Sequence, residues 1–413
     1  MNYTRMIIFS GILLLILTAL DYFVISRWKK YCKSKNYNKN WYRIPFWISI
    51  IMLLIFVFSN YYNFMVFPGP EYINWLNLLT SFWYLPKLVI VPVLIVIELI
   101  RFSTKLFKPK SAEQNIPEIK PSVYARRKFI GNLAWSFAGV PFALAVKGLA
   151  HTVYDLKLFR ETIYLPNLPL NLDGIKIVQL SDLHFGKYMK GNILEKIGKI
   201  VNSLSPDLIL ITGDFVNFRY EELDFGDKFL RSLKSYHGVY ACLGNHDHYM
   251  SNEDHQKLLK RINNTGVKLL INENRTLKIK GSELNLIGVD NIGSRQTFGD
   301  FDKAYEGINP KNVSILMSHD PKTWESHVLG KRFTDLTLSG HTHGGQVAFE
   351  FLGFDLSPVK AVYKHFMGLY SQGNQYLYVN RGIGVSGPPI RLGVNPEITL
   401  FTLKKPLNLV SNS

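Results

Sequence analysis

Long apolar runs in the first 150 residues constrain this fold more than any other feature of the sequence. Four runs have the length or composition of a membrane span: 6–25, 44–67, 75–100 and 129–150. The fourth run is the weakest, because it is rich in Gly and Ala and carries Lys147. Backbone polar groups in lipid must be satisfied within the segment, so we predict an all-α transmembrane region over residues 1–150.

The basic residues of this region lie mainly in two segments. Residues 27–43 hold seven Lys or Arg and no acid, and residues 101–128 hold eight against two acids. Lys and Arg are retained on the cytoplasmic side, which puts the N-terminus outside. The paired arginines of SVYARRKFIG, residues 122–131, are similar to a twin-arginine export signal and favour the same orientation.

We therefore expect a multi-pass protein of the cell (inner) membrane whose domain after residue 150 is extracytoplasmic, or periplasmic. In the alternative topology, the fourth run lies on the inner face of the membrane and this domain is cytoplasmic. The full chain has a net charge of +17. The rest of the chain, residues 151–413, carries 30 basic and 26 acidic residues, so most of that charge lies before residue 151. That near balance argues against nucleic acid as the main partner.

Residues 151–413 alternate between short apolar runs and amphipathic stretches, which predicts a layered α/β domain with a sheet covered on both faces. Strands are predicted at residues 174–180, 207–212, 238–243, 284–289, 313–318, 335–339, 375–380 and 397–403. Helices are predicted at about 190–204, 222–235, 252–265 and 321–330. The two cysteines, Cys32 and Cys242, are predicted to be unpaired and uninvolved in chemistry.

Five of the predicted strands end in residues that bind metals or move protons. These residues are Asp182 and His184 in SDLHF, Asp214 in TGDFVN, Asn245, His246 and Asp247 in GNHDH, His319 in SHDP, and His341 and His343 in GHTHGG. In an extended chain residues i and i+2 point to the same side, so each closely spaced pair can reach one cleft. Carboxylate, amide and imidazole ligands without thiolate suit Mn, Fe or Zn.

The order DxH, GDxx(D/N), GNH(D/E), isolated His and GHxH resembles that of the calcineurin-like metallophosphoesterases, over about residues 165–403. The apolar N-terminal region and a glycine-rich tail, YVNRGIGVSGPPIRLGVNPEITLFTL at residues 378–403, look like a membrane-anchored bacterial branch of that family. The resemblance implies an α/β fold in which two mixed sheets form a β-sandwich flanked by helices. An all-α transmembrane anchor, 1–150, would precede this catalytic domain, 151–413.

The resemblance also implies two divalent or trivalent metal ions, each with its own ligands. Asp182, His184 and His343 would hold one ion, Asn245, His319 and His341 the other, and Asp214 would bridge them. A metal-bridging hydroxide would then attack phosphorus, with His246 stabilising the transition state or protonating the leaving group.

The implied function is a membrane-anchored phosphohydrolase that cleaves a phosphodiester or a pyrophosphate, with a lipid-linked phosphate ester as one option for the substrate. Two alternatives stay open. One is a phosphomonoesterase or protein phosphatase of the same fold, and the other is an inactive metal-binding membrane scaffold.

Four further residues are candidates for supporting roles. Many family members have aspartate where this chain has Asn217, which would accept a hydrogen bond from His246 without adding charge. Asp247 is the alternative support for His246. Arg381 could bind a substrate phosphate or form a structural salt bridge, and the same two options apply to Arg391.

Overall fold

The computed structural model describes residues 3–65, 71–106, 142, 154–186, 188–293, 296–351, 354–387 and 389–406. These residues form two compact units, Met1–Leu149 and Ala150–Ser413. Apart from Phe142, the fourth expected span at 129–150 lies outside the described residues, and so do the paired arginines at 126–127. Both therefore remain predictions.

Three long helices make up the described part of the first unit: Tyr3–Ser34, Asn40–Met65 and Glu71–Leu106. Each contains a stretch long and apolar enough to cross a membrane, at Ser10–Ser34, Asn40–Tyr62 and Tyr72–Leu99. The first three predicted runs therefore lie in helices, as an all-α region requires. The basic segment 27–43 is mostly helical, because Lys and Arg are good helix formers and continue the first helix to Ser34.

Polar side chains inside these helices pair with one another. Asp21 accepts hydrogen bonds from Lys87 and from the Tyr84 hydroxyl, the latter at 2.9 Å, and all three residues are at most 5% exposed. Charged groups within membrane spans are tolerated when they are paired in this way. Lys87 therefore interrupts the apolar pattern of the third helix without ending the helix.

The second unit contains two six-stranded sheets. The first has the spatial order Lys157–Tyr164, Glu397–Lys404, Lys176–Leu180, Leu208–Thr212, Val239–Cys242 and Lys268–Leu269. The second has the order Gly368–Gln372, Gln375–Val379, Leu336–Ser339, Val313–Met317, Ser282–Gly288 and Glu273–Ile279. Both sheets are mixed, with mainly parallel central strands and antiparallel pairs at both edges of the second. Two short antiparallel pairs complete the strands: Ile292–Gly293 with Gln296–Thr297, and Phe349–Phe351 with Phe354–Leu356.

The two sheets pack face to face, and helices cover their outer faces. Leu208 and Leu210 point into the core between the sheets, whereas Ile209 and Ile211 point to the helix side. The helices on that side are Asn192–Ser203, Asp227–Ser232 and Asn252–Asn264. On the second sheet, the outer face packs against the short helix Phe301–Ala304 and the π-helical turn Trp324–Val328.

The sandwich of two mixed sheets confirms the fold implied by the family resemblance. The apolar pattern alone predicted a sheet covered on both faces, and each sheet is covered in this way, by the other sheet on one face and by helices on the opposite face. All eight predicted strands are present. Four sheet-edge strands were missed, because each is very short or has polar, partly exposed side chains and therefore lacks an apolar run: Lys157–Tyr164, Lys268–Leu269, Glu273–Ile279 and Gly368–Gln372.

Parallel strands in both sheets end at positions that bring their following loops together. In the first sheet these strands are Lys176–Leu180, Leu208–Thr212 and Val239–Cys242, and in the second Val313–Met317 and Leu336–Ser339. Backbone hydrogen bonds join loops of different strands, from Asp182 N to Gly213 O at 3.0 Å and from Gly340 N to His319 O at 3.0 Å. The candidate site forms where these loops meet.

Candidate metal centre

The site loops leave the extended conformation as soon as the strands end. Five candidate ligands have positive φ: Asp182 (51°), His184 (44°), Asp214 (56°), His341 (72°) and His343 (51°). The prediction of an extended chain at these residues was therefore wrong, although the side chains that it paired do converge. Left-handed backbone at non-glycine residues costs about 1–3 kcal/mol each and is concentrated at functional sites.

Two motif glycines allow the loops to approach closely. A Cβ atom on Gly340 would overlap the side chains of Ser181 and Asp182, and one on Gly244 would overlap Asp214. These glycines therefore serve close packing beside the ligands.

One group of candidate ligands, the first group, consists of Asp182, His184 and His343, whose ligand atoms lie within 4.8 Å of one another. The Nε2 atoms of His184 and His343 are 3.1 Å apart. Burial lowers the pKa of His184 to about 3 and that of His343 well below its ordinary value, so both imidazoles are neutral at pH 7. Two neutral nitrogens this close share a proton or a cation, and the donor set suits a borderline divalent metal ion.

The second group consists of Asp214, Asn245, His319 and His341. The ligand atoms of Asp214, His319 and His341 lie within 4.8 Å of one another. His341 Nδ1 lies 2.7 Å from Asn245 Oδ1 and 3.3 Å from His319 Nε2. Burial lowers the pKa of His341 to about 4, which keeps this imidazole neutral and able to bind a metal ion.

Asp214 lies between the two groups. Its Oδ2 atom is 3.6 Å from His184 Nε2 and 3.2 Å from His319 Nε2. Burial opposes ionisation of His319, but the Asp214 carboxylate outweighs it and raises the pKa of that imidazole to about 10. One buried carboxylate therefore faces ligands of both groups, as a bridging ligand would.

His246 lies beside this carboxylate. Its backbone N–H donates to Asp214 Oδ1 at 2.8 Å, and its ring packs edge-on against His184 with centroids 4.8 Å apart. The ring Nδ1 is 2.8 Å from the backbone carbonyl of Asn217, while Nε2 is 3.4 Å from Ser386 Oγ. The contact at Nδ1 thus orients the imidazole, and Nε2 points away from Asn217 toward Ser386.

The expected role of the Asn217 side chain was wrong. Its Nδ2 donates to the backbone carbonyl of Phe185 at 3.1 Å, and the acceptor for His246 is the main-chain oxygen. Every amino acid has that oxygen, so the identity of residue 217 does not determine this contact.

The Asp247 side chain orients backbone N–H groups and not the His246 ring. Its buried carboxylate accepts hydrogen bonds from four backbone N–H groups at 2.9–3.3 Å, those of Asp214, Phe215, Val216 and Gly244. The carboxylate thereby ties the Asp214 loop to the Asn245 loop. The alternative of Asp247 as the support of the His246 ring is therefore replaced by a structural role.

We expect Asp247→Ala to lower the unfolding free energy of the second unit by about 3 kcal/mol, because buried N–H donors lose their acceptor. This corresponds to a drop in Tm of about 6–12 °C for a unit of this size. Thermal denaturation of the full chain would measure it, with the exposed Asp224→Ala as a control. An unchanged Tm combined with a large loss of activity would instead indicate that Asp247 supports the His246 side chain.

Arg381 forms the structural salt bridge that was the alternative to phosphate binding. Its Nη1 donates to Glu397 Oε2 at 2.6 Å, and its guanidinium lies over the Phe159 ring at 4.5 Å. Glu397 is fully buried and also accepts from the Tyr378 hydroxyl at 2.7 Å. This network attaches the start of the glycine-rich tail to the strand Glu397–Lys404 of the first sheet.

Comparison with known proteins agrees with this geometry. The calcineurin-like phosphoesterase family matches residues 175–345, which include every candidate metal ligand. A metallophosphoesterase of Bacillus subtilis, YkuE, is 34% identical over 252 residues, covering 59% of this chain and 84% of the relative. The chain belongs to the calcineurin-like phosphoesterase family.

The membrane unit of this phosphoesterase matches a second family, described as the transmembrane domain of probable calcineurin-like phosphoesterases, over residues 4–151. A metallophosphoesterase of Campylobacter jejuni is 28% identical over 96% of this chain and 98% of its own length. The UDP-2,3-diacylglucosamine pyrophosphatase LpxG of Chlamydia muridarum is 32% identical over 60% of this chain and 88% of its own length. The phosphoesterase is thus a membrane protein with both units represented among its relatives.

Two residues around the site were not identified from the sequence. Tyr249 and Tyr363 contact the candidate ligands Asn245 and His341. Arg391, a candidate from the sequence, is buried and contacts His343 Nδ1 at 3.4 Å. Tyr249 directly follows the GNHDH motif, so its proximity was a usable signal. Tyr363 lies beyond the last motif and had no such signal.

Proposed function

We propose that this phosphoesterase is a membrane-anchored dinuclear-metal phosphohydrolase that cleaves a phosphodiester or pyrophosphate bond. In this proposal, Asp182, His184 and His343 bind one metal ion, and Asn245, His319 and His341 bind the other. Asp214 bridges the two. Bound metal ions would orient the phosphate, offset its charge and activate the attacking water.

The observation that carries this proposal is the position of Asp214. A single carboxylate oxygen lies within 3.6 Å of imidazole nitrogens from both ligand groups. A structural site for one ion would need only four ligands, whereas seven polar side chains converge here. The excess supports two ions that share a ligand.

His246 is the proposed acid for the leaving group. Its Nδ1 faces the Asn217 carbonyl, so this nitrogen carries the proton when the ring is neutral. Nε2 is then the atom that takes up and delivers a proton. The leaving oxygen would receive the proton from Nε2 as its bond to phosphorus breaks.

A lipid-linked phosphate ester is the proposed substrate class. Two relatives named as UDP-2,3-diacylglucosamine pyrophosphatases, from Chlamydia muridarum and Chlamydia trachomatis, support a pyrophosphate attached to a lipid. The three membrane helices would keep the catalytic unit near such a substrate.

The proposed activity can be tested with the full-length protein in detergent and added Mn²⁺. We expect hydrolysis of bis(p-nitrophenyl) phosphate and of lipid-linked pyrophosphates, with much slower hydrolysis of p-nitrophenyl phosphate. Preferential monoester cleavage would favour the phosphatase alternative. Metal binding without any hydrolysis would favour the scaffold.

We further propose that the catalytic unit lies outside the cytoplasm. The basic residues of segments 27–43 and 101–128 support this topology, given a fourth span at 129–150. The membrane family that matches this region is named 4TM phosphoesterase, and this name also implies four membrane spans. An external unit would act on phosphates of the outer leaflet, whereas a cytoplasmic one would favour a nucleotide-activated lipid.

Thiol labelling gives a direct test of sidedness, because both native cysteines are buried. Tyr236 is 74% exposed, so Tyr236→Cys is expected to react with a membrane-impermeant maleimide in cells with an intact inner membrane. Ser34→Cys, at the exposed basic end of the first helix, should react only after lysis. The reverse pattern would place the catalytic unit in the cytoplasm.

A further inference from the structure

Two tyrosines contact ligands of the second group on the side away from the converging ligand atoms. We propose that Tyr249 and Tyr363 are positioning residues that fix the ligand atoms of Asn245 and His341, and so set the metal affinity of the second group alone. This inference rests on the proposed dinuclear centre. It concerns two side chains that belong to none of the sequence motifs.

Tyr249 determines which atom of the Asn245 amide faces the second group. Asn245 Nδ2 donates to the Tyr249 hydroxyl at 2.8 Å. An amide nitrogen only donates hydrogen bonds, so the hydroxyl oxygen accepts this one. Asn245 Oδ1, which is the only metal ligand of the amide, is thereby directed toward His341.

Tyr363 determines which nitrogen of His341 is free to bind a metal ion. His341 Nε2 lies 2.7 Å from the Tyr363 hydroxyl, which is also hydrogen-bonded to the buried Asp320 carboxylate. With a metal ion bound at Nδ1, His341 would carry its proton on Nε2, so the phenol would accept from Nε2–H and donate to Asp320. The Nδ1 lone pair then faces the second group, in the arrangement that second-shell carboxylates give to metal-binding histidines.

Both tyrosines are themselves held in place. The Tyr363 backbone N–H donates to Val359 O at 2.8 Å, and Lys322 Nζ lies 4.3 Å from the centre of the Tyr363 ring. The Tyr249 ring packs against His246 and Phe218, with centroid distances of 4.7 and 6.0 Å. Neither hydroxyl can therefore leave its ligand without moving a packed ring.

The first group has no equivalent pair of tyrosines among the residues that the structure describes. His184 Nδ1 is buried and has no hydrogen-bond partner there, and His343 Nδ1 contacts Arg391. Loss of either tyrosine hydroxyl should therefore affect one metal position and leave the other unchanged. A general loss of folding would weaken both.

Cobalt titration can separate these outcomes. Full-length protein in detergent is stripped with a chelator and titrated with Co²⁺ while its visible absorption is recorded. We expect two Co²⁺ per wild-type chain. In Tyr249→Phe and Tyr363→Phe one of the two should bind about 10- to 100-fold more weakly, the usual effect of losing an outer-shell partner. The matched control is Tyr236→Phe, at an exposed tyrosine.

Asp320→Ala provides a second variant that leaves both tyrosines and all ligands in place. It should weaken the same Co²⁺ position as Tyr363→Phe. Wild-type affinity at both positions in all three variants would overturn the inference, and so would equal weakening of both positions together with a lower Tm. Wild-type protein that binds fewer than two Co²⁺ would instead overturn the dinuclear centre, and the inference with it.

Discussion

Asp214→Asn is expected to reduce the metal content from two ions to at most one and to abolish measurable diester hydrolysis. The amide can still accept the hydrogen bond from His246 N–H, but it lacks the charge that faces both His184 and His319. Because the metal ions contribute several kcal/mol to stabilising the transition state, the loss in kcat should be on the order of 10³ or more. Metal analysis and steady-state kinetics of the same preparation would measure both effects.

The control for this substitution is Asp302→Asn, at a carboxylate whose side chain is 90% exposed. It removes the same charge from the chain without touching the site, so full metal content and activity are expected. Two bound ions in Asp214→Asn would show that Asp214 is not the bridge. The dinuclear proposal would then need a different shared ligand.

His246→Ala is expected to separate catalysis from metal binding. The His246 side chain is assigned no metal, so both ions should remain bound. The kcat for a diester with a poor leaving group should fall by on the order of 10² to 10⁴, the usual contribution of a general acid. With p-nitrophenolate, which leaves without protonation, the loss should be smaller.

A matched comparison is available at the residue that orients this histidine. Asn217→Ala keeps the backbone carbonyl that contacts Nδ1 and removes only the side-chain bond to Phe185 O. We expect a loss of less than about fivefold, since one neutral hydrogen bond contributes roughly 1 kcal/mol. A loss as large as that of His246→Ala would show that the amide side chain takes part. Equal losses for good and poor leaving groups in His246→Ala would exclude its role as the acid.

The sequence predicted those parts of the fold and site that depend on residue type and order. Central strands such as Leu208–Thr212 are apolar throughout because both faces are buried, and their ends are marked by conspicuous ligand residues. Edge strands such as Glu273–Ile279 resemble surface loops in composition, since only one face is covered. The pattern therefore located the site more reliably than it located the edges of the sheets.

Backbone conformation and backbone contacts were beyond the sequence. Asp182 and His184 converge through left-handed turns that no alternation rule describes. The partner of His246 is a carbonyl oxygen, which any residue could supply. Tyr363 reaches His341 from a segment with no motif, so only the packed chain reveals the contact.

The division of the candidate ligands between the two sheets has a consequence for the life of the protein. Asp182, His184, Asp214 and Asn245 follow strands of one sheet, and His319, His341 and His343 follow strands of the other. Ions bound among them would act as a cross-link between two halves of the sandwich that no disulfide joins. Each ion that binds only the folded chain adds about 2.7 kcal/mol of stability at a free concentration of 100 Kd. A cell short of metal would then lose the phosphoesterase to proteolysis as well as to inactivity, so the metal supply would govern its abundance.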